Sequence, residues 1–169
     1  TTDFSSFLLQ AQASGAKVIG LANAGGDTVN SIKAAAEFGL TKKQNLAALL
    51  MLLTDVHALG LNTAQGLIFT ESFYWDLNDQ TRAWSRRFAA AHGGKMPSMV
   101  QAGVYASVLH YLKAVEAAKT DTGTKVVEQM KALPTDDPLF GKGSIRADGR
   151  KLHPVYLVEV KKPAESKGP

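Results

Sequence analysis

Between Lys17 and Asp27 the sequence reads KVIGLANAGGD, and this stretch with the segment behind it limits what the chain can fold into. Val18, Ile19 and Leu21 form an apolar run of strand length. Asn23-Ala24-Gly25-Gly26 breaks it, and Asp27 is a good N-cap. Val29, Ile32 and Ala36 then recur at helical spacing as far as Phe38. The order is strand, tight glycine loop, helix N-terminus. A loop at the carboxyl end of a parallel strand is where open α/β sheets bind ligands. Backbone N–H groups at the helix start face a small anion or carboxylate there. Asn23, Ala24, Gly25 and Asp27 are therefore candidate ligand contacts, through backbone donors, the Asn23 amide and the Asp27 carboxylate. The competing reading of the same residues is a plain strand-to-helix turn with an aspartate cap.

The same alternation continues along the chain. Phe4, Phe7, Leu8 and Ala11 share one face of a helix capped at Thr1-Thr2-Asp3 and ended by Ser14-Gly15. The helix after the glycine loop runs Thr28–Phe38 and stops at Gly39. Leu46–Leu53 (LAALLMLL) reads as a second strand buried on both faces. Thr54-Asp55 caps a short helix through Leu59, and Gly66–Thr70 is a third strand. This βαβαβ order predicts an α/β fold with a doubly wound parallel sheet. Thr54 and Asp55 fall at the same sheet edge as the first loop, so both are further ligand candidates beside their capping role. His57, one turn on, reads as a surface or packed histidine.

After Thr70 the texture changes. Glu71-Ser-Phe-Tyr-Trp-Asp76 is aromatic and acidic. Three adjacent aromatics cannot all face one core, so Phe73, Tyr74 and Trp75 either stack on an apolar or aromatic ligand or pack a chain crossover. Glu71 and Asp76 are expected to be solvated or capping. Helices follow at Asn78–His92, with Trp84 and Phe88 inward and Arg82, Arg86 and Arg87 outward, then at about 98–119 and 124–133. The tail turns to β at Phe140–Ile145, a turn at Ala147–Arg150 and a strand at Val155–Val160. Asp136-Asp137 reads as turn, and residues 161–169 as a disordered tail.

The 169 residues carry a net charge of +4 with the basic residues scattered, so nothing points to nucleic acid. There is no cysteine, which excludes disulfides, thiolate metal sites and a cysteine nucleophile. No apolar run is long enough to span a membrane. Catalytic patterns are lacking: the histidines show no H-x-x-x-H spacing and no serine has a G-x-S-x-G setting. Asn23-Ala24-Gly25 resembles a piece of the short-chain dehydrogenase pattern. That family also needs a glycine-rich loop after its first strand and a Tyr-x-x-x-Lys pair, whereas Tyr105 is followed four residues on by Leu109 and Tyr111 by Val115. The reading is of no enzyme, no metal and no cofactor.

The order of parts resembles the periplasmic substrate-binding proteins of ABC transporters, closest to the Leu/Ile/Val-binding type. The resemblance rests on Asp3-Phe4-Ser5-Ser6-Phe7 leading through Gly15-Ala16-Lys17-Val18, on the Asn23–Asp27 loop, and on Gln65-Gly66-Leu67-Ile68-Phe69. It continues with Phe88 before Gly93-Gly94, Tyr105-Ala106, and Phe140-Gly141-x-Gly143-x-Ile145-x-x-Asp148-Gly149-Arg150. Only the latter part of the family pattern is covered, so the resemblance implies an incomplete two-lobe fragment of the type I periplasmic-binding-protein fold. Residues 1–70 would belong to the second lobe, 71–77 to a hinge crossover, 78–139 to helices of the first lobe, and 140–160 to the hinge return and closing strands. The implied function is capture of a small organic acid, amino acid or aromatic acid between lobes and its delivery to a membrane permease from the periplasm. The aromatics at Phe73–Trp75 tilt the ligand toward an aromatic or bulky apolar acid. A cut two-lobe protein is also expected to self-associate through exposed apolar surface. Two alternatives remain open: a nucleotide-dependent α/β enzyme using the first loop, and a sensory domain of the same two-lobe fold.

Overall fold

The computed structural model describes residues 3–168; Thr1, Thr2 and Pro169 lie outside the described residues, and with them part of the expected first cap and the last tail position. The chain divides into two units. One takes the chain up to Glu71 and again from Leu157, and the other is Ser72–Tyr156.

The first unit is built on a sheet in the order β1 (Val18–Leu21), β2 (Asn45–Ala48), β3 (Ile68–Glu71), β7 (Tyr156–Glu159). β1 pairs parallel to β2 with Val18 opposite Asn45 and Leu21 opposite Ala48, and β2 pairs parallel to β3. Val160, just past β7, exchanges backbone hydrogen bonds with Gly66 and Leu67, just before β3, so β7 runs antiparallel at that edge. The crossovers are α2 (Gly25–Glu37) and the pair α3 (Leu53–Leu59) and α4 (Leu61–Ala64), after an opening helix α1 (Ser5–Ala13). Ile32, Leu40 and Met51 are each only 1% exposed, and they pack with Leu8, Leu21, Leu46 and Phe69 in one core. Each such aliphatic side chain contributes roughly 1.5–3 kcal/mol by leaving water.

Several local expectations change. Asp3 does accept the Ser5 N–H at 2.9 Å, but only Leu8 of the expected face is buried in α1, and Phe7 stands 64% exposed. The second strand is half the length of its apolar run. β2 stops at Ala48 because its partner β1 ends at Leu21. The Leu21 carbonyl accepts one last hydrogen bond from the Leu49 N–H (3.1 Å), and β2 ends there although β3 runs on to Glu71. Leu49 and Leu50 are therefore exposed, 64% and 53%, where a strand buried on both faces was expected. The third strand reaches one residue further than its pattern, to Glu71.

The second unit carries α5 (Asp79–Ala91), α6 (Met99–Ala118), α7 (Gly123–Ala132) and an antiparallel sheet of β4 (Thr135–Asp137), β5 (Gly141–Ile145) and β6 (Lys151–Leu152). Asn78 caps α5: its side chain accepts the Thr81 N–H, and the Thr81 hydroxyl accepts the Asn78 N–H, both at 3.0 Å. Ser98 caps α6 by accepting the Val100 N–H. Phe73, Trp84, Ala102, Ala106, Leu139 and Phe140 form the core. β4 takes residues that read as turn. Asp137 serves both roles, since it ends β4 while its Oδ1 accepts the Leu139 and Phe140 N–H groups and its Oδ2 pairs with Lys151 at 2.9 Å. Arg82 joins Asp76 and Asp79 at 2.9 and 2.8 Å on the surface. Residues 161–168 show one 3-10 turn, Pro163–Glu165. No helix among the described residues is long and apolar enough to cross a membrane.

Candidate functional site

The carboxyl ends of β1, β2 and β3 lie side by side in the first unit, and the three segments that leave them compose the candidate site. The first is the loop Ala22–Gly25. α2 begins at Gly25, one turn earlier than expected, with Ala24 as its N-cap, so Asp27 sits inside the first turn and does not cap. The turn into the helix needs φ +55° at Gly25, where a side chain would be strained. Among the described residues no side chain caps the opening N–H groups of α2. They remain free to meet a carboxylate, with the helix dipole behind them.

Asn23 does not offer its amide outward. Its Nδ2 donates to Ser31 Oγ and its Oδ1 accepts from Thr28 Oγ1, both at 2.9 Å, while Ser31 Oγ donates to the Asp27 carbonyl at 2.8 Å. Thr28 and Ser31 are fully buried or nearly so. This network fastens the loop to the first two turns of α2 and leaves the backbone of Ala24–Gly26 as the exposed surface. Thr28 and Ser31 carry no motif of their own. Their signal is the placement of hydroxyls on the helix face that looks back at Asn23.

The second segment follows β2. Leu49 and Leu50 are exposed apolar side chains next to the first loop, tied to it through the Leu49–Leu21 hydrogen bond. They were hidden in the sequence inside an apolar run, and the excess of that run over strand length was the available clue. α3 then starts at Leu53, so Thr54 falls within its first turn, exposed, while Asp55 Oδ2 accepts the Leu52 N–H at 2.9 Å. Asp55 is thus engaged in capping, and His57 is exposed.

The third segment starts at Glu71. Expected to be solvated or capping, it is only 5% exposed, and among the described residues neither carboxylate oxygen has a hydrogen-bond partner. Alternation along β3 turns it to the same side as the core residue Phe69. Burial lifts its pKa to about 7; the nearby Leu53 backbone pulls it partly down and the Asp55 charge pushes it up.

The aromatic segment belongs to the second unit. Phe73 is 2% exposed, with its ring 5.8 Å from Trp84 and 6.4 Å from Phe140 in edge-on geometry, so it is a core residue there. Tyr74 and Trp75 are partly exposed and lean on one another at 5.8 Å. Burial, then the Asp76 charge, raises the Tyr74 pKa. No set of three metal-ligating side chains converges among the described residues. His110 is buried with its Nε2 on the Met130 carbonyl at 2.9 Å.

The first unit is thus a parallel sheet with an uncapped helix start and exposed apolar side chains at its carboxyl edge. The sequence matches the periplasmic binding protein family over residues 1–168, and the chain belongs to that family. A periplasmic binding protein from Burkholderia mallei is 57% identical, with a TM-score of 0.94 over 100% of this chain and 44% of its own. A branched chain amino acid ABC transporter periplasmic ligand-binding protein from Burkholderia xenovorans is 44% identical, with a TM-score of 0.87 over 99% of this chain and 45% of its own. An ABC transporter solute-binding protein from R. palustris, in complex with benzoate, shares the fold at 20% identity, with a TM-score of 0.79 over 95% of this chain and 44% of its own. The chain therefore spans less than half the length of these relatives. No curated protein matches it.

Proposed function

We propose that this chain is part of the solute-binding component of an ABC importer, which captures a small organic acid or amino acid in the periplasm and delivers it to a membrane permease. The observation that carries the reading is the bare N-terminus of α2 beside Leu49 and Leu50. Free N–H groups and a helix dipole suit a carboxylate, and adjacent aliphatic side chains suit an apolar body. The 44% identity to a protein named for branched-chain amino acids supports the same class.

In this reading the backbone of Ala24 and Gly25 binds the carboxylate, with Asn23 holding the loop in place and Asp27 and Thr54 at its rim. Leu49 and Leu50 contact the apolar part, and Asp55 acts by positioning the segment after β2. Taken by itself, the second unit has in Tyr74 and Trp75 partly exposed aromatic faces suited to a bulky or aromatic acid, with Phe73 in its own core. Capture works by differential affinity: a ligand that makes its full contacts only in the closed state shifts the balance toward it.

Isothermal titration calorimetry on the full-length protein that carries this sequence tests the proposal, with leucine, isoleucine and benzoate as titrants. Saturable binding of any of them that Leu50→Asp weakens at least tenfold is the expected result. Binding of leucine or isoleucine without benzoate removes the aromatic preference. Thermal stabilisation by a dinucleotide, with no organic acid or amino acid bound, refutes the binding-protein reading.

A further inference from the structure

Glu71 is a buried acid at the edge of the sheet where the ligand is placed, yet it is none of the ligand's contacts. It closes β3 at 5% exposure, and among the described residues neither carboxylate oxygen has a hydrogen-bond partner. The groups that act on it, the Leu53 backbone and the Asp55 carboxylate, belong to the segment that leaves β2 at the same edge. That segment carries the exposed Leu49 and Leu50, and the uncapped start of α2 stands beyond the end of β1, two strands away. Neighbouring strands lie about 4.8 Å apart, which puts the ends of β3 and β1 roughly 10 Å from each other.

No cation compensates this carboxyl. β2 has no ionisable residue, and β7 has only Tyr156 and Glu159, both exposed. Beyond Asp55, α3 adds His57, and α2 carries Asp27, Lys33 and Glu37, all exposed. None of the ion pairs among the described residues includes Glu71. The side chain therefore presents two different fields to the sheet edge. Protonated, it is neutral. Ionised, it sets an unpartnered negative charge, out of contact with water, near a helix start suited to a carboxylate. Burial moves the change between these states to about pH 7.

We propose that Glu71 is a specificity-determining residue of this site: neutral, it admits a monocarboxylate, and ionised, it discriminates against one while leaving a zwitterion, whose ammonium offsets the charge, unaffected. The inference rests on the proposed capture of a small acid at α2. Anion binding and the Glu71 proton are then linked. A bound anion favours the protonated side chain, and loss of the proton weakens the anion's binding by the same factor. Two unit charges roughly 10 Å apart, in a medium between protein and water, change binding about three- to tenfold.

Calorimetric titration of the full-length protein that carries this sequence tests it between pH 5.5 and 8.5, with 4-methylpentanoate, benzoate and leucine as titrants. Leucine and 4-methylpentanoate share a side chain and differ by the ammonium. All proteins carry His57→Gln, because imidazoles titrate in the same range. The affinity for monocarboxylates is expected to fall about three- to tenfold across this range, with that for leucine changing less than twofold. With Glu71→Gln the monocarboxylate profiles should be flat. In two buffers of different ionisation enthalpy at pH 7, monocarboxylate binding should take up about a quarter to half a proton with Glu71 and none with Glu71→Gln. A flat monocarboxylate profile with Glu71 present, or the same fall in both proteins, overturns the inference and leaves the binding site standing. Binding of leucine alone at every pH overturns it as well. Absence of binding by all three titrants overturns the inference together with the site it rests on. Should Glu71→Gln fail to fold, Asp55→Asn decides: with the repulsion gone, the midpoint of the affinity loss must move to lower pH, and an unmoved midpoint overturns the inference.

Discussion

Glu71 should make the stability of this protein fall as pH rises from acid to neutral. Its carboxyl titrates at 4.5 in an exposed reference state and at about 7 in the folded chain, because burial disfavours the charged form and Asp55 adds repulsion. The folded state therefore holds the proton more tightly than the unfolded state. Below pH 4.5 both are protonated and there is no penalty. Between pH 4.5 and 7 the unfolded chain ionises first, and stability falls with each step in pH. Above pH 7 both are ionised and the penalty is constant. Its ceiling is about 3 kcal/mol, since each unit of pKa difference is worth roughly 1.4 kcal/mol. Water reaching the strand end on relaxation screens the charge and leaves an expected 1–2 kcal/mol. Glu71→Gln keeps the shape and removes the titration. Urea unfolding of both proteins from pH 4 to 8 should give equal midpoints near pH 4 and a Gln variant 1–2 kcal/mol more stable at pH 8. Parallel pH profiles, or a Gln variant less stable at pH 8, would refute the assignment of an unpartnered buried carboxyl.

Asn23→Ala leaves Thr28 and Ser31 without their partner and should cost about 1–3 kcal/mol in urea unfolding; Thr28→Val, which removes one of those bonds, should cost about 1 kcal/mol. Phe73→Ala should cost about 3–5 kcal/mol by cavity formation, while Leu50→Ala stays within about 0.5 kcal/mol; similar losses from both, measured by calorimetry, would contradict their burial. Gly143→Ala should cost about 1–3 kcal/mol, because a Cβ there runs into the Leu152 carbonyl oxygen and comes within 2.8 Å of Thr135 Oγ1. Near-wild-type melting of that variant would show that β4, β5 and β6 give way more easily than their close approach implies.

The parallel frame was legible because its signals are local. The glycine breaks, the strand-length apolar runs and the helical repeats fixed β1, α2, β3 and the long helices, and Asn78 and Ser98 marked helix starts by their own capping chemistry. Boundaries moved where a neighbour decided them. The ladder of β2 to β1 ends with Leu21 opposite Ala48, so only three of the eight apolar residues, Leu46, Ala47 and Ala48, lie in the strand. α2 began at Gly25 because glycine tolerates the positive φ that opens the turn, and Asp27 became a first-turn acid. Asp136-Asp137 read as turn because Pro138 adjoins the pair. Pairing with Lys142 and Gly141 of β5 overrode that local preference.

The candidate site was legible as a location but not as a set of contacts. Sequence pattern put Asn23 in the loop, yet both its polar atoms turned out to be consumed by hydroxyls five and eight residues on, a pairing that exists only once α2 has formed. Periodicity reports which residues are apolar and cannot report what covers them. That one limit explains two departures together: Phe7 exposed on α1 and Leu49-Leu50 exposed after β2. Each reads as interior from the sequence. For Leu49-Leu50 a ligand at the sheet edge would supply the missing neighbour. Replacing Leu50 by a charge should therefore weaken ligand binding and spare the fold, because its exposed side chain leaves no cavity and buries no charge.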